Sequence, residues 1–458
     1  MRTRRPIAAL LLLVPLLLAF QAAAATRAPR PTRHAKPKRP ALDMVWHVET
    51  ISGDVVDSRA ADDPINPASV VKVATSWWAL DKLGPDHRFE TRFRTRGTLD
   101  PEKGILDGDL VVEGGGDPDF QAENAFLAGA ALNRLGVRRV TGALVVNHRF
   151  WMGWEDGSAG MERDPDRRAT LMGTRLKLAL ESKSWNRPTR AAWWEFAIRR
   201  GLPAGQPPRV SIAKGVRVDD GTDGAEVAVV HRSKPLADTL RRFNCFSNND
   251  IERVGAALGP AEELAQRLGE AIGAAPDLVH LETTSGLGEN RITPRLVVRM
   301  MREFRRTGDR VGRGVESLLP VAGCDPGTVT RFFPLLSEGP NATALVAKTG
   351  TLTATDGGVS VLAGFLNTAQ GEVVFCLAAP RAAGRVRRAR NQEQRWLLDL
   401  LASRGGPSPR TCAPPLPAAD ADADVVLSVL PAGAAAPEGG TPGARALAAR
   451  ARGVAARR

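Results

Sequence analysis

The chain has 458 residues, with 63 Lys and Arg against 50 Asp and Glu, a formal net charge of +13 and 43% apolar residues. That balance is globular and excludes a wholly disordered chain. The four cysteines, Cys245, Cys324, Cys376 and Cys412, form no C-x-x-C pair, which argues against zinc ribbons, fingers and thioredoxin-type motifs.

The length fits two or three domains. Residues 1–25 read as a signal peptide: Arg2, Arg4 and Arg5 precede an apolar run from Ile7 to Phe20, and small residues Ala22–Ala25 follow. The run is shorter than the roughly 20 residues of a spanning helix, so cleavage and export are expected rather than an uncleaved anchor. Residues 26–40 form a basic, Pro-rich linker. The positive charge sits at the ends: +3 in the signal, +6 in the linker and +5 in the last 18 residues, leaving −1 for residues 41–440. A near-neutral body argues against a nucleic-acid site. The basic ends suit an anionic wall polymer or membrane surface.

Residues 41–60 alternate about Gly53-Asp54 and predict two strands around a turn. An apolar run from Val70 to Leu83, with Pro67 before it and Gly84-Pro85 after it, predicts a helix buried on most sides. Strands and turns are expected over 88–150, with a helix near 122–136; residues 151–208 are ambiguous. Helices fit 236–258, 260–273, 293–306 and 391–402. Strands fit 343–348, 358–366 and 372–379. These elements suggest an α/β sandwich. Residues 403–458, rich in Pro, Ala and Gly, are expected to form a disordered tail, with Val425–Leu430 a mobile segment, a stray strand or a docking peptide.

Three short motifs carry chemistry. Ser69-Val70-Val71-Lys72 puts a hydroxyl and an amine one turn apart on the buried helix. A serine hydroxyl needs a base, and lysine serves only when neutral, a state favoured by burial and nearby positive charge. The plain structural reading is an N-cap serine with a snorkelling lysine. Ser247-Asn248-Asn249, expected at the head of or inside a helix, offers a hydroxyl relay and an amide for the substrate; alone it reads as an N-cap cluster. Lys348-Thr349-Gly350-Thr351 ends a strand and offers a fixed charge, hydroxyls and a glycine for close substrate approach; alone it reads as a strand end before a turn. In this order and setting the three mark the penicillin-recognising serine acyltransferases.

The surrounding segments narrow this. Asn66-Pro67-Ala68 before Ser69, Gly108-Asp109-Leu110, Gly114-Gly115-Gly116-Asp117-Pro118, Leu135-Gly136-Val137 and Thr141-Gly142 are part of the pattern. So are Ser285-Gly286-Leu287, Asn290-Arg291-Ile292-Thr293-Pro294, Leu319-Pro320-Val321-Ala322-Gly323 and Ala347 to Leu352. From about 41 to 402 the chain resembles the D-alanyl-D-alanine carboxypeptidase/endopeptidase family, the class C low-molecular-mass penicillin-binding proteins. The resemblance implies an α/β transpeptidase fold of the serine β-lactamase and penicillin-binding-protein type: an antiparallel sheet sandwiched by helices, with an inserted, mainly β domain. The catalytic domain would occupy 41–96 and 229–402, and the insert 97–228. Ser69 would be the acylated nucleophile, Lys72 its base, and Ser247 the proton relay to the leaving D-alanine. Asn249 would hold the peptide backbone. Lys348, Thr349 and Thr351 would receive the terminal carboxylate, beside Gly350. The backbone N–H groups of Ser69 and Thr351 would form the oxyanion hole.

The implied activity is serine-type D-Ala-D-Ala carboxypeptidase, with endopeptidase action on cross-links, in the periplasm. The partners would be peptidoglycan peptides and, as covalent inhibitors, β-lactams. A non-catalytic penicillin-binding module and a β-lactamase are the alternatives; no Glu is assignable as a deacylating activator. The pattern departs from the family at Asn248 and over 151–215. The chain has no Tyr, hence no tyrosine base. No cofactor or metal is called for, since the six His are scattered. Cys245 reads as buried or bridged, and the pairing of the four cysteines stays open among three possibilities. Trp77, Trp78, Trp193 and Trp194 read as core. The arginines from Arg381 to Arg390 read as a solvated face.

Overall fold

The computed structural model describes residues 42–155 and 162–427. The expected signal peptide, the linker and the end of the tail lie outside the described residues. The chain opens with the hairpin β1 (Val45–Thr50) and β2 (Val55–Arg59). A tight turn at Ala68–Val70 leads into α1 (Val71–Leu83). Next come β3 (Glu90–Asp100), β4 (Ile105–Gly114), α2 (Ala122–Arg134), β5 (Arg139–Val140) and β6 (Leu144–Val146). They lead to α3 (Pro165–Leu180), α4 (Arg187–Arg200), β7 (Ser211–Ile212), β8 (Val216–Val218) and β9 (Glu226–Arg232). A helical stretch follows: α5 (Leu236–Phe246), α6 (Glu252–Ala256), α7 (Ala261–Ile272), α8 (Pro294–Arg310), α9 (Thr328–Phe332) and α10 (Pro334–Ser337). The strands β10 (Leu345–Leu352), β11 (Val359–Thr368) and β12 (Gly371–Pro380), the helix α11 (Val386–Ser403) and β13 (Asp424–Leu427) complete it.

The first sheet is antiparallel, in the order β10-β11-β12-β1-β2. Alternation along its strands splits two cores. Val346, Val361, Ala363, Phe365 and Val374 face α1 and α8, whereas Leu345, Ala347, Leu362, Phe375 and Leu377 face α11. That is the period of two expected of a strand buried on both sides. β10 is an edge strand whose first half is covered by the 320–322 segment, through Ala322 N–H to Leu345 C=O at 2.9 Å and Ala347 N–H to Pro320 C=O at 3.2 Å.

The second sheet runs β13-β9-β3-β4-β5-β7, with β6 on β4 and β8 on β6, and packs against α2 and α3. β3 and β9 pair from Glu90 and Arg232, so this sheet extends past both ends of the insert expected over 97–228. The junction with the first layer is ionic. Asp119, after the Gly114–Pro118 turn, is 2% exposed. It takes charge from Lys234 and from Arg242 at 3.2 Å, and accepts Trp154 Nε1–H at 2.7 Å. Arg242 lies on α5, the helix that leads to Ser247.

Three expectations are corrected. The helix expected over 236–258 breaks at Ser247, whose φ is +54°. The tail expected to be disordered from 403 is folded as far as Leu427. Arg410 N–H donates to Thr343, Pro414 C=O accepts from Arg241, buried Asp420 pairs with Arg200, and β13 adds an antiparallel edge to β9. Polar contacts and a disulfide, Cys324–Cys412, hold it where apolar burial is sparse. Cys245 and Cys376 are buried thiols. The tryptophans do not form one core: Trp77 and Trp78 are buried side chains of α1, Trp193 sits in a separate aromatic cluster, and Trp194 is exposed.

The disulfide closes a loop with a separation of 88 residues, for which chain-entropy arguments give about 2–5 kcal/mol. Cys324→Ser should therefore lower the melting temperature by several degrees and open residues 405–427 to limited proteolysis. An unchanged melt and digestion pattern would show that the polar contacts suffice. Among the described residues no helix is long and apolar enough to cross a membrane.

Candidate active site

Ser69 lies in the turn that feeds α1, and that turn is forced. Asn66 Oδ1 accepts Ala68 N–H at 3.0 Å, and its amide nitrogen donates to Gly288 C=O and Asp356 at 2.9 and 2.6 Å. Ala68 adopts φ +47°, a left-handed conformation that costs a non-glycine residue energy and that needs surrounding structure to hold it. The holding is done by close backbone approach. A Cβ on Gly286 would sit 1.9 Å from Ala68 C=O, and one on Gly350 would sit 2.5 Å from Pro67 C=O. Substrate approach is the expected reason for Gly350; its nearest constraint is instead the turn before Ser69.

α1 is apolar around nearly its whole circumference, so Lys72 is fully buried. Lys72 Nζ donates to Ser69 Oγ at 2.9 Å, to Asn249 Oδ1 at 2.8 Å and to Ser285 C=O at 2.7 Å. The two carbonyl oxygens can only accept. They bind two N–H bonds of the amine beside its contact with Ser69 Oγ. The neighbouring Lys348, also fully buried, donates to Ser247 Oγ at 2.8 Å and to Thr349 C=O at 2.7 Å. Burial, then the charge of Lys72, holds the Lys348 ammonium well below the ordinary lysine range.

Ser247, Asn248 and Asn249 occupy the break after α5. The S-x-N segment is thus neither the head nor the interior of a helix, which corrects that expectation. Asn248 Oδ1 accepts Asp250 N–H at 2.8 Å, so the middle residue shapes the loop while the outer two face the lysines. Buried Asp250 accepts Glu155 N–H at 2.9 Å and pairs with Arg253. Burial pushes its carboxyl up to about 6, against the pull of Arg253.

On β10 the side chains of Thr349 and Thr351 share the face opposite Lys348. Thr349 Oγ1 shares a hydrogen bond with Thr328 Oγ1 at 2.7 Å. Beside Thr328 opens a cavity of about 360 Å³ lined by Phe246, Gly327, Thr328, Thr330 and Arg331. All eight residues proposed from sequence, Ser69, Lys72, Ser247, Asn249, Lys348, Thr349, Gly350 and Thr351, gather around this strand and turn.

Sequence reasoning missed two others. Ser285, whose carbonyl holds Lys72, donates its hydroxyl to Glu252 on α6; its signal was the Ser-Gly-Leu triplet, noted without a role. Arg390 had been placed on a solvated face. It is half-buried, donates to Thr351 Oγ1 at 2.8 Å and stacks on Phe332 with 3.5 Å to the ring centroid. Nothing local in the arginine run distinguishes it from its neighbours. Cys245 lies near the site, but burial raises its thiol pKa far above neutrality and leaves it inert.

The profile of the D-Ala-D-Ala carboxypeptidase 3 (S13) family matches residues 37–168 and 209–400. A carboxypeptidase of Mycobacterium tuberculosis is 26% identical over 366 residues, covering 73% of this chain and 75% of the relative. The carboxypeptidase DacB of Mycolicibacterium smegmatis is 27% identical over 351 residues, covering 70% and 72%. Among solved structures, a penicillin G-acylated predatory endopeptidase from Bdellovibrio bacteriovorus superposes with a TM-score of 0.68 at 22% identity, covering 84% of this chain and 100% of that one. This last likeness is one of fold.

Proposed function

The chain belongs to the D-Ala-D-Ala carboxypeptidase 3 (S13) family, and from that premise we propose how its site performs a serine carboxypeptidase reaction. Neutral Lys72 takes the Ser69 proton as Oγ attacks the carbonyl between the two D-alanines. The backbone N–H groups of Ser69 and Thr351 receive the oxyanion. Ser247, held by Lys348, passes a proton to the amine of the departing D-alanine, and water then releases the acyl group from Ser69. Asn249 holds the peptide backbone. Lys348, Thr349 and Thr351 receive the terminal carboxylate. The observation that carries this reading is the 2.9 Å contact of Lys72 with Ser69, made by a buried amine that also bonds Asn249 Oδ1 and Ser285 C=O.

We extend to this chain the acylation by penicillin seen in the Bdellovibrio relative, and place its action on peptidoglycan peptides in the periplasm. Incubation with a peptide ending in D-Ala-D-Ala should release D-alanine and leave a transient adduct on Ser69. Penicillin labelling without D-alanine release would favour a binding module. Fast turnover of penicillin to ring-opened product would favour a β-lactamase.

Arg390 completes the carboxylate end by orienting Thr351. Arg390→Gln should raise KM for a peptide with a free terminal carboxylate by about tenfold, the worth of one charge-assisted hydrogen bond, with kcat little changed. The same peptide as its C-terminal amide should show no such shift. Equal losses on both would reduce Arg390 to a packing residue.

A further inference from the structure

The family profile skips residues 169–208, and this stretch carries an unusual helix. The inner face of α4 packs Trp193, Phe196 and Ala197 against Trp185 and Phe126. Its outer face is apolar too. Trp194 is 55% exposed, Ile198 71% and, just past the helix, Leu202 38%. The spacing of four puts Trp194 and Ile198 on one face, Leu202 follows the left-handed cap at Gly201, and Arg187 and Arg190 extend that face toward the N-terminus. A helix apolar on both sides is normally buried on both sides. Here one side is bare.

Charge selects what covers it. From Ser182 to Ala204 there are five basic residues, Lys183, Arg187, Arg190, Arg199 and Arg200, and one acid, Glu195. Asp420 takes Arg199 and Arg200, whereas Lys183, Arg187 and Arg190 stand exposed. A second copy docking this face on itself would bring arginines against arginines, a like-charge contact that opposes an isologous pair. A soluble polyanion would satisfy the arginines and leave Trp194 and Ile198 in water. An anionic bilayer satisfies both: phosphates meet Lys183, Arg187 and Arg190, Trp194 sits at headgroup depth, and Ile198 reaches the acyl boundary.

We propose that the outer face of α4 is a docking surface for an anionic lipid membrane. It is distinct from the basic ends of the chain, and it holds the folded body at the bilayer surface.

The test is co-sedimentation of the full chain with vesicles of phosphatidylglycerol or of phosphatidylcholine. The wild type should pellet with phosphatidylglycerol and stay soluble with phosphatidylcholine. Trp194→Ser with Ile198→Ser, and separately Arg187→Gln with Arg190→Gln, should each weaken partition by about tenfold or more. Penicillin labelling of Ser69 and the melting temperature should be unchanged in both, which establishes folding. If the apolar pair proves unstable, quenching by brominated-acyl phosphatidylglycerol replaces it: Trp194→Phe should lose a quenched component that the wild type shows. Wild-type partition retained by both double variants would overturn the proposal in favour of the basic ends. So would a lipid-free dimer that Trp194→Ser dissolves, or no pelleting at all with phosphatidylglycerol.

Discussion

Ser69→Ala should abolish covalent labelling by a fluorescent penicillin, and Lys72→Ala should slow it by about a thousandfold or more. The two effects are expected to be nearly as large alone as together, because nucleophile and base act as one unit. The geometry explains why no nearby group substitutes. Lys72 is the amine 2.9 Å from Ser69 Oγ, while Lys348 is directed onto Ser247 and Thr349. Its guanidinium being always charged, Lys72→Arg cannot accept the serine proton and should be as inactive as Lys72→Ala. Cys245→Ser should leave labelling unchanged, since that thiol is buried and held protonated. Mass spectrometry of the β-lactam-treated protein locates the adduct. Labelling that survives in Lys72→Ala at the wild-type rate would remove Lys72 as the base, and an adduct away from Ser69 would remove the nucleophile.

Asp119→Ala is the substitution expected to cost most in stability. Asp119 and Lys234 are both almost fully buried, and Arg242 adds a second positive charge at 3.2 Å. Removing the carboxylate strands two cations in a poorly solvated junction, for which about 3–5 kcal/mol is typical. Trp154 loses its acceptor as well. The damage should reach the site, because Arg242 lies on α5 and α5 ends at Ser247. Chemical denaturation should therefore show a large fall in midpoint, and the surviving folded fraction should acylate more slowly. Asp119→Asn, which keeps a hydrogen-bond acceptor for Trp154 but not the charge, should fall between. A loss of less than about 1 kcal/mol in Asp119→Ala would mean that water enters and solvates the two cations.

The placement of Ser69 beside Lys72 and the Lys348–Thr351 strand were legible because each is a short local pattern in a recognisable element. The spacing of Ser69 and Lys72 follows from one helical turn, and Lys348 to Thr351 closes an apolar strand. The break at Ser247 was not legible, because its left-handed backbone is imposed by contacts to Lys348 and by the buried anchor at Asp250. Ser285 acts through a backbone carbonyl, and no side-chain pattern reports that. Arg390 differs from the other arginines of its run in what α11 packs against. The order of residues 403–427 escaped a composition argument because a disulfide and ion pairs, rather than an apolar core, hold the segment down.

By itself the sequence determined which chemistry the chain carries and that its +13 charge belongs to the two ends, not to the body. Identity and local spacing are sufficient for both. Only the tertiary structure decided how Lys72 is aimed, which cysteines pair, where the second sheet begins and which face of α4 is left bare. Each of these depends on groups that are distant in sequence: Asn249 and Ser285 around one amine, Cys412 brought back to Cys324, and Arg232 laid against Glu90. Long-range burial and pairing set them, and no local pattern encodes which distant partner a residue will meet.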